Sequence, residues 1–490
     1  MTTPALWTAA EVANATGGTC RGSWSATGVS IDTRTLKVGD LFVALRGPSF
    51  DGHEFVDAAL TRGAAGALVH RTGVTSPERE SDSDKSHNRL VVVKDTFAAL
   101  QDLARAARTR CAATVVAVTG SVGKTGTKEL LKVALSAQGE TSATEGNLNN
   151  HWGVPLSLTR LPRGARYGVF ELGMNHAGEI APLSRLVQPH VAVITAVEAV
   201  HLEFFATVED IADEKAAIMD GLVPGGTAIL PRDSGSYDRL AAAAARRGCR
   251  VVSFGSHGAD ALLVNWSLTT SGTQVAADIG GHRHTYEMGV AGRHWALNSV
   301  AVLAAVQAVG ADVAKAAAAF ARLTAPAGRG AHLRVAGPTG PFTVIDESYN
   351  ASPASVRALA ETVGAMEFAQ DEAPSDENKG RRILVLGDML EMGPTAPAIH
   401  ADLAAALRAN RIDLVFTAGP LMEHLHNALP RDMRGGHARD SAALIPRVTQ
   451  AIRANDVVAV KGSHGSRMAV VVAALAALDA SSAPRAANGH

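Results

Sequence analysis

The stretch that decides the fold is Thr114–Leu135, which reads TVVAVTGSVGKTGTKELLKVAL. A run of small and β-branched apolar residues leads into the glycine-containing segment 120–125, and a run with helical spacing follows. Glycines let successive backbone N–H groups turn towards an anion, and the following helix adds the positive end of its dipole. Lys124 can reach the terminal phosphates of a nucleotide, and the Thr125 hydroxyl can bind Mg²⁺. The stretch therefore predicts a nucleotide phosphate loop, although the longer general pattern would need glycine in place of Val118.

Short apolar strands alternate with alanine- and leucine-rich helical segments along the rest of the chain. Continuous apolar strands followed by helices are typical of parallel sheets covered on both faces, so the sequence predicts an α/β fold. The predicted strands are Val115–Val118, Gly168–Leu172, Val191–Val197, Ile383–Leu386, Leu414–Thr417 and Val457–Val460. The predicted helices are Thr125–Ala137, Ala398–Ala409 and Ser466–Leu478.

The chain has 490 residues, which predicts about three domains at the usual size of about 150 residues each. We divide it into residues 1–111, 112–330 and 331–490. The first boundary precedes the strand that leads into the phosphate loop, and the second lies in the Pro/Gly-rich stretch Ala325–Gly330. Two polar stretches, Thr72–Arg89 and Gln370–Arg381, are predicted to be surface loops.

The composition excludes several classes of protein. Hydrophobic residues make up 47% and charged residues 19%, which is typical of a globular chain. The net charge of −1 and the 4% of aromatic residues disfavour a nucleic-acid partner. Three widely spaced cysteines predict neither a disulfide framework nor a zinc ribbon. Residues 1–18 lack the basic start of a signal peptide, and the longest apolar stretch, Met468–Leu478, is too short for a membrane span, so we expect a cytosolic protein without membrane insertion.

Charged side chains follow the strands after the phosphate loop. Glu171 lies at the end of one predicted strand, and His201 follows the next. Because the carboxyl ends of parallel strands meet at one edge of a sheet, Glu171 could hold Mg²⁺ directly or through water. A helix-capping or solvated glutamate is the alternative. His201 could face a second Mg²⁺ or a substrate carboxylate, or could be structural, and Lys215 by itself is typical of a solvated lysine.

Five blocks of the sequence, taken together, match one known pattern. They are TGSVGKTGTKE (119–129), EGNLNNHWGVPLSL (145–158), ELGMNHAGEI (171–180), AVEAVHLEFF (196–205) and GRHWALNS (292–299). With Lys215, they resemble the Mur ligase family, the ATP-dependent amide-forming enzymes of peptidoglycan synthesis. The resemblance implies an N-terminal domain for a uridine-nucleotide substrate, a central P-loop ATPase-like domain and a C-terminal Rossmann-like domain.

Three segments resemble the branch of the family that adds D-Ala-D-Ala to UDP-MurNAc-tripeptide. They are GNLNNHWGVP (146–155), IDESYNASP (345–353) and VLGDMLEMG (385–393). The implied reaction passes through an acyl phosphate and gives UDP-MurNAc-pentapeptide, ADP and phosphate. One alternative is the branch that adds the third amino acid, but its DNPR-type segment has no counterpart here. The other is a non-catalytic nucleotide-binding module, which should have lost Lys124, Glu171, His201 or Lys215.

The resemblance also implies roles for individual residues. The catalytic set would be Lys124, Glu171, His201 and Lys215, with Lys215 in the position of the family's carbamylated lysine. ATP would contact Gly120, Ser121, Gly123, Lys124, Thr125, Asn298 (at the adenine), Arg329 and Asp346. Thr125, Glu171 and His201 would hold Mg²⁺. The two other substrates would lie near Asp32, Thr33, Arg34, Asn147, Asn150, Tyr349, Asn350 and Lys461, and family enzymes are monomers that we expect to close around them.

Four residues depart from the family pattern. Gly126 stands where Thr or Ser is usual and should loosen the first helical turn. His464 stands where Arg is common, and His151-Trp152 stands where Glu-Ile is frequent. None of these changes removes a predicted catalytic group.

Overall fold

Three mainly parallel sheets follow one another along the chain. The computed structural model describes residues 4–70, 88–200, 202–366 and 380–479, and the structural statements below concern these residues. The predicted loops at 72–89 and 370–381 lie almost entirely outside the described residues, and His201 also lies outside them. The α/β fold with parallel sheets is confirmed.

The first sheet has five strands. The N-terminal strands are β1 (Trp7–Thr8), β2 (Thr19–Cys20), β3 (Ser25–Ala26), β4 (Gly28–Ser30), β5 (Asp40–Val43), β6 (Gly66–Val69) and β7 (Leu90–Val92). The helices are α1 (Ala9–Thr16), α2 (Val56–Thr61) and α3 (Thr96–Arg110). The order in the sheet is β2-β7-β6-β5-β4, and only β2 runs antiparallel to its neighbour. Strands β1 and β3 form a separate antiparallel pair.

The second sheet has nine strands and carries the phosphate loop. Its strands are β8 (Thr114–Thr119), β9 (Thr141–Ala143), β10 (Tyr167–Glu171), β11 (Val191–Ile194), β12 (Thr227–Pro231), β13 (Arg250–Gly255), β14 (Ala261–Thr269), β15 (Gly272–Ile279) and β16 (His282–Met288). The helices are α4 (Lys124–Ser136), α5 (Gly153–Thr159), α6 (Ile180–Val187), α7 (Val208–Ala216), α8 (Tyr237–Arg246), α9 (Arg293–Ala308) and α10 (Val313–Ala319). The order β16-β15-β14-β13-β12-β11-β8-β10-β9 places β8 between β11 and β10, and all three are parallel.

The third sheet has six strands. They are β17 (Ala331–Val335), β18 (Phe342–Glu347), β19 (Arg382–Gly387), β20 (Leu414–Ala418), β21 (Arg434–Ala438) and β22 (Val457–Lys461). The helices are α11 (Pro353–Gly364), α12 (Ala396–Ala401), α13 (Leu403–Ala409), α14 (Met422–Ala428), α15 (Ser441–Ala451) and α16 (Ala469–Ala476). In the order β17-β18-β22-β19-β20-β21, only β17 is antiparallel to its neighbour. The domain bounds at 112 and 330 stay predictions, and each lies between two of the three sheets.

Three predicted elements have different bounds in the structure. The strand predicted to reach Val197 stops at Ile194, because the Thr195 hydroxyl donates to the carbonyl of Val122 at 2.5 Å and draws the chain over the phosphate loop. The helix predicted for 398–409 is two helices, α12 and α13, which meet at Asp402. The last predicted helix begins only at Ala469, after Arg467 adopts a left-handed φ of 52°. No helix of the described chain is long and apolar enough to cross a membrane.

Candidate active site

The phosphate loop lies at the carboxyl end of β8 and caps helix α4. Gly120 has a φ of 149° and Gly123 a φ of 86°, conformations that favour glycine. A Cβ atom on Gly120 would also lie 1.9 Å from the Thr195 hydroxyl. Ser121 is held by Glu198, whose backbone N–H donates to the serine hydroxyl at 3.0 Å. The segment after β11 therefore fixes the shape of the loop.

Lys124 is folded back onto this loop. Its Nζ donates to the carbonyl oxygens of Gly120 at 2.6 Å and Ser121 at 3.3 Å. Burial lowers the pKa of the Lys124 amine, the charge of Glu171 raises it, and the charge of Arg329 lowers it further. An anion in the loop would supply the negative charge that this amine lacks, which fits a phosphate-binding role.

Glu171 ends strand β10 beside Val118 of β8 and is only 1% exposed. Its Oε1 accepts a hydrogen bond from Asn149 Nδ2 at 2.8 Å, whereas its Oε2 is buried without a hydrogen-bond partner in the described structure. A buried carboxylate oxygen without a partner is costly unless a cation or a proton satisfies it. Sequence reasoning found Glu171 but missed Asn149, although the repeated asparagines of GNLNN were the available signal.

The donor set for a metal is small in this part of the molecule. The described residues contain no cluster of three or more His, Cys, Asp or Glu side chains that could hold a metal ion. The predicted ligand Thr125 is buried at the start of helix α4, Glu171 lies on the neighbouring strand, and His201 lies outside the described residues. The unsatisfied carboxylate oxygen and the hydroxyl are hard oxygen donors, which suit Mg²⁺.

Lys215 lies in helix α7 and is only 1% exposed, so the interpretation of a solvated lysine is wrong. Burial holds the pKa of its amine well below the ordinary range, and the charge of Lys124 lowers it further, against the opposing effect of Glu214. The Glu214 carboxylate itself accepts from the N–H groups of Gly178 and Ile180, both at 2.7 Å. A buried lysine amine of this kind is available as a neutral nucleophile.

The junction between the second and third sheets carries a second group of predicted residues. The Arg329 guanidinium lies over the ring of Tyr349, 4.0 Å from its centre. Asp346 accepts from the Gly328 N–H at 3.1 Å and from the Ser348 hydroxyl at 2.6 Å, which stiffens the turn that carries Arg329. The charge of Arg329 also lowers the pKa of Lys124, so it acts electrostatically on the phosphate loop.

A buried ion pair lies next to this turn. Lys461 Nζ donates to Glu347 Oε2 at 2.9 Å, and the two residues are paired in register at the ends of β22 and β18. Burial raises the pKa of Glu347, but the charges of Lys461 and His294 outweigh it and the pKa is lowered overall. Sequence reasoning assigned no role to Glu347 or His294, although the segments 345–353 and 292–299 that contain them were the available signal.

The remaining predicted residues make local contacts. The Asn298 side chain lies 3.1 Å from where a Cβ on Gly123 would be, so it contacts the phosphate loop, and its role at the adenine stays a prediction. Arg34 binds Asp32 in a two-pronged ion pair, and Arg62 donates to the Thr33 carbonyl at 2.6 Å. The exposed group comprises Asn147, Asn150 (which accepts from the N–H of Gly153, the first residue of α5, at 2.9 Å) and Asn350.

Comparisons with known proteins agree with this arrangement. Residues 25–108 match the catalytic domain of the Mur ligase family, residues 118–306 the Mur ligase middle domain, and residues 328–464 the Mur ligase glutamate ligase domain. The UDP-N-acetylmuramoyl-tripeptide–D-alanyl-D-alanine ligase of Escherichia coli (strain K12) is 35% identical over 91% of this chain and 93% of its own.

Solved structures show the same likeness. The structure of MurF from Acinetobacter baumannii matches with a TM-score of 0.80 and 28% identity, over 96% of this chain and 99% of its own. The MurF ligase from Thermotoga maritima in complex with ADP gives 0.75 and 26%, over 93% and 98%. Fold and site thus define an ATP-dependent ligase that forms amide bonds. The chain belongs to the Mur ligase family.

Proposed function

We infer that this ligase joins D-Ala-D-Ala to the terminal carboxylate of UDP-MurNAc-tripeptide, giving UDP-MurNAc-pentapeptide, ADP and phosphate. The observation that carries the inference is the end-to-end likeness to a relative named for that reaction, over 91% of this chain. The site supports it, because Lys124, Glu171 and Lys215 are all retained and electrostatically close. A non-catalytic module has no reason to keep a buried lysine, Lys215, within the electrostatic reach of a second lysine at a cost in desolvation.

The first step activates a carboxylate that does not react with an amine at neutral pH. An oxygen of the tripeptide carboxylate bonds to the γ-phosphorus of ATP, the bond from that phosphorus to the β,γ-bridging oxygen breaks, and ADP leaves. Transfer between two anions depends on charge neutralisation and positioning. The loop N–H groups, Lys124 and Arg329 supply positive charge at the place where the terminal phosphates would lie.

Mg²⁺ would neutralise further phosphate charge when it is bound, and Thr125 and Glu171 fit it. The Glu171 Oε2 atom, buried without a partner in the described structure, is the observation that supports this assignment. We assign His201 to the same set on the resemblance alone. Asn149 holds the other oxygen of Glu171 and so fixes the direction of the free one.

Lys215 is proposed to carry a carbamate. Its lowered pKa favours the neutral amine, which can bond to the carbon of CO₂ and release one proton. The product is a carboxylate-like anion that would attract the charge of Lys124, whereas a protonated Lys215 would repel it.

The second step joins the dipeptide to the activated carboxyl group. The free amine of D-Ala-D-Ala attacks the acyl carbon, the tetrahedral intermediate collapses, phosphate leaves and the amine loses a proton. Water would hydrolyse the acyl phosphate, so the domains must close around it. We place the uridine nucleotide near Asp32, Thr33 and Arg34, the dipeptide near Lys461 and Tyr349, and the monomeric enzyme in the cytosol.

The test is phosphate release with ATP, Mg²⁺, UDP-MurNAc-tripeptide and D-Ala-D-Ala, each omitted in turn. We expect release only with all four, together with a UDP-MurNAc-pentapeptide detected by mass. Release with UDP-MurNAc-dipeptide and a free diamino acid would instead assign the chain to the branch that adds the third amino acid. Release without any acceptor would contradict the ligase reaction.

A further inference from the structure

Gly126, one of the departures from the family pattern, makes room for the indole of Trp295. It is buried in the first turn of α4, and a methyl group added there would lie 3.0 Å from both Cη2 and Cζ3 of that ring. This separation is shorter than ordinary van der Waals contact, so the ring would have to shift. The turn is nevertheless regular, since Thr127 N–H donates to the Gly123 carbonyl at 2.9 Å. The glycine is therefore explained by its neighbour and not by backbone freedom.

Trp295 also reaches the turn that leads into the third sheet. It is only 4% exposed, and its Nε1 lies 3.8 Å from where a Cβ on Gly330 would be. The same Cβ position is 3.2 Å from Oε1 of Glu347, the residue whose other carboxylate oxygen accepts from Lys461. One indole thus packs against the helix behind the phosphate loop and against the junction that carries the buried ion pair.

The neighbours of Trp295 on helix α9 contact the same two places. Asn298, one turn later, lies against Gly123 of the phosphate loop. His294, one residue earlier, lies close enough to Glu347 to lower its pKa, and its Nδ1 is buried without a hydrogen-bond partner in the described structure. The start of α9 therefore contacts the phosphate loop through Asn298 and acts electrostatically on Glu347 through His294.

We propose that Trp295 is a positioning residue that couples the phosphate loop to the Glu347–Lys461 pair, with Gly126 as the socket for its ring. The inference rests on the proposed function, in which ATP occupies the loop and the dipeptide lies near Lys461. An indole has only two side-chain torsions, and this one is closely packed against Gly126. A shift of helix α4 should therefore move the Trp295 ring, and with it the residues at the junction. If the nucleotide tightens binding of the dipeptide through this contact, the dipeptide tightens binding of the nucleotide by the same factor, because coupling between two binding sites is reciprocal.

A double-mutant cycle tests the coupling. We would measure kcat and all three KM values for the wild type, Gly126→Ala, Trp295→Leu and the double variant. Each single variant should raise the KM for D-Ala-D-Ala about tenfold, within the range of coupling between residues in contact. The double variant should be no worse than the poorer single variant, because alanine at 126 has no ring to displace once leucine is present. The KM for UDP-MurNAc-tripeptide should stay within about twofold of the wild type.

The matched control is Gly235→Ala, which adds the same methyl group where no atom lies within 4 Å, and it should change nothing. Multiplicative effects of the two single variants, or an equal rise in the KM for the uridine substrate, would overturn the proposal.

If Trp295→Leu does not fold, Trp295→Phe replaces it, and the difference in tryptophan emission between wild type and that variant is followed on adding a non-hydrolysable ATP analogue. A change in that difference is expected, and no change contradicts the coupling. An inactive wild type that still shows the emission change would count against the proposed reaction, not against the coupling.

Discussion

The two junctions of the central sheet differ in chemistry. Towards the N-terminal sheet, Leu148, Trp152 and Leu156 pack into the same apolar core as Trp7 and α3. The Trp7 indole N–H also donates to the Thr159 carbonyl at 2.9 Å across this junction. Towards the third sheet, the described apolar clusters of the two sheets do not merge, and Arg329 over Tyr349 and the Glu347–Lys461 pair of the third sheet lie beside the junction.

This difference between the two junctions indicates which domain moves relative to the other two. A shared apolar core is close-packed and costly to open, so the first two units should behave as one body. No such shared apolar core joins the second and third units in the described residues, so the third unit can open and close at a lower cost. The substrate carboxylate would thus be held on a fixed frame while the third domain brings the dipeptide.

The largest effect of a substitution is expected at the reaction centre, which lies in the second domain, on the side of the molecule that we expect to stay fixed. Glu171→Gln should lower kcat by a factor on the order of 10³, because an amide cannot replace the unsatisfied carboxylate oxygen in neutralising a cation. The melting temperature should not fall, since the neutral side chain no longer buries a charge. Turnover and thermal unfolding measured together check this, and Asn149→Ala, which removes only the partner of Oε1, should lose less activity.

The next largest effect is expected from Lys461→Met, in the third sheet beside the mobile junction. Removing one member of a buried pair leaves Glu347 unpaired, at a cost of about 3–5 kcal/mol in the free energy of unfolding. Denaturant titration measures this loss. The double variant Glu347→Leu/Lys461→Met should recover most of the stability but not the activity; recovery of both would show that the pair has no part in binding the dipeptide.

A variant at the fixed junction, between the first and second sheets, should lose stability but keep its activity. Leu156→Ala removes a side chain that is 2% exposed in the shared core and should cost about 2–5 kcal/mol in the free energy of unfolding. At a temperature where the variant is folded, kcat should stay near that of the wild type. A kcat loss as large as that of Lys461→Met would remove the distinction between the two junctions.

The smallest expected effect is a pH dependence at Lys215. Its lowered pKa means that the folded chain binds fewer protons than the unfolded chain between that pKa and the ordinary value of about 10.4. Stability should therefore rise with pH in this window, by at most about 1.4 kcal/mol per pH unit, relative to Lys215→Met. Denaturant titrations at several pH values without bicarbonate measure the difference, and a difference that is flat with pH would show that the amine is not desolvated.

The phosphate loop and the strand before it could be predicted from the sequence because only glycine tolerates the φ values of Gly120 and Gly123. Glu171 followed from its place after a strand. The burial of Lys215 could not be predicted from the sequence, since it depends on how helix α7 packs against the rest of the domain and not on the residues of α7 itself. Similarly, the fit of Trp295 to Gly126 depends on a contact between residues far apart in the chain, for which local pattern carries no signal.

The most direct test of the two-junction account is a pair of spin-label distances in a cysteine-free chain. One pair joins Val38→Cys in the first domain to Arg283→Cys in the second, and the other joins Arg283→Cys to Arg439→Cys in the third, all at exposed positions. With a non-hydrolysable ATP analogue, UDP-MurNAc-tripeptide and D-Ala-D-Ala, the account predicts that only the second distance changes. A change in the first distance with the second constant would contradict it.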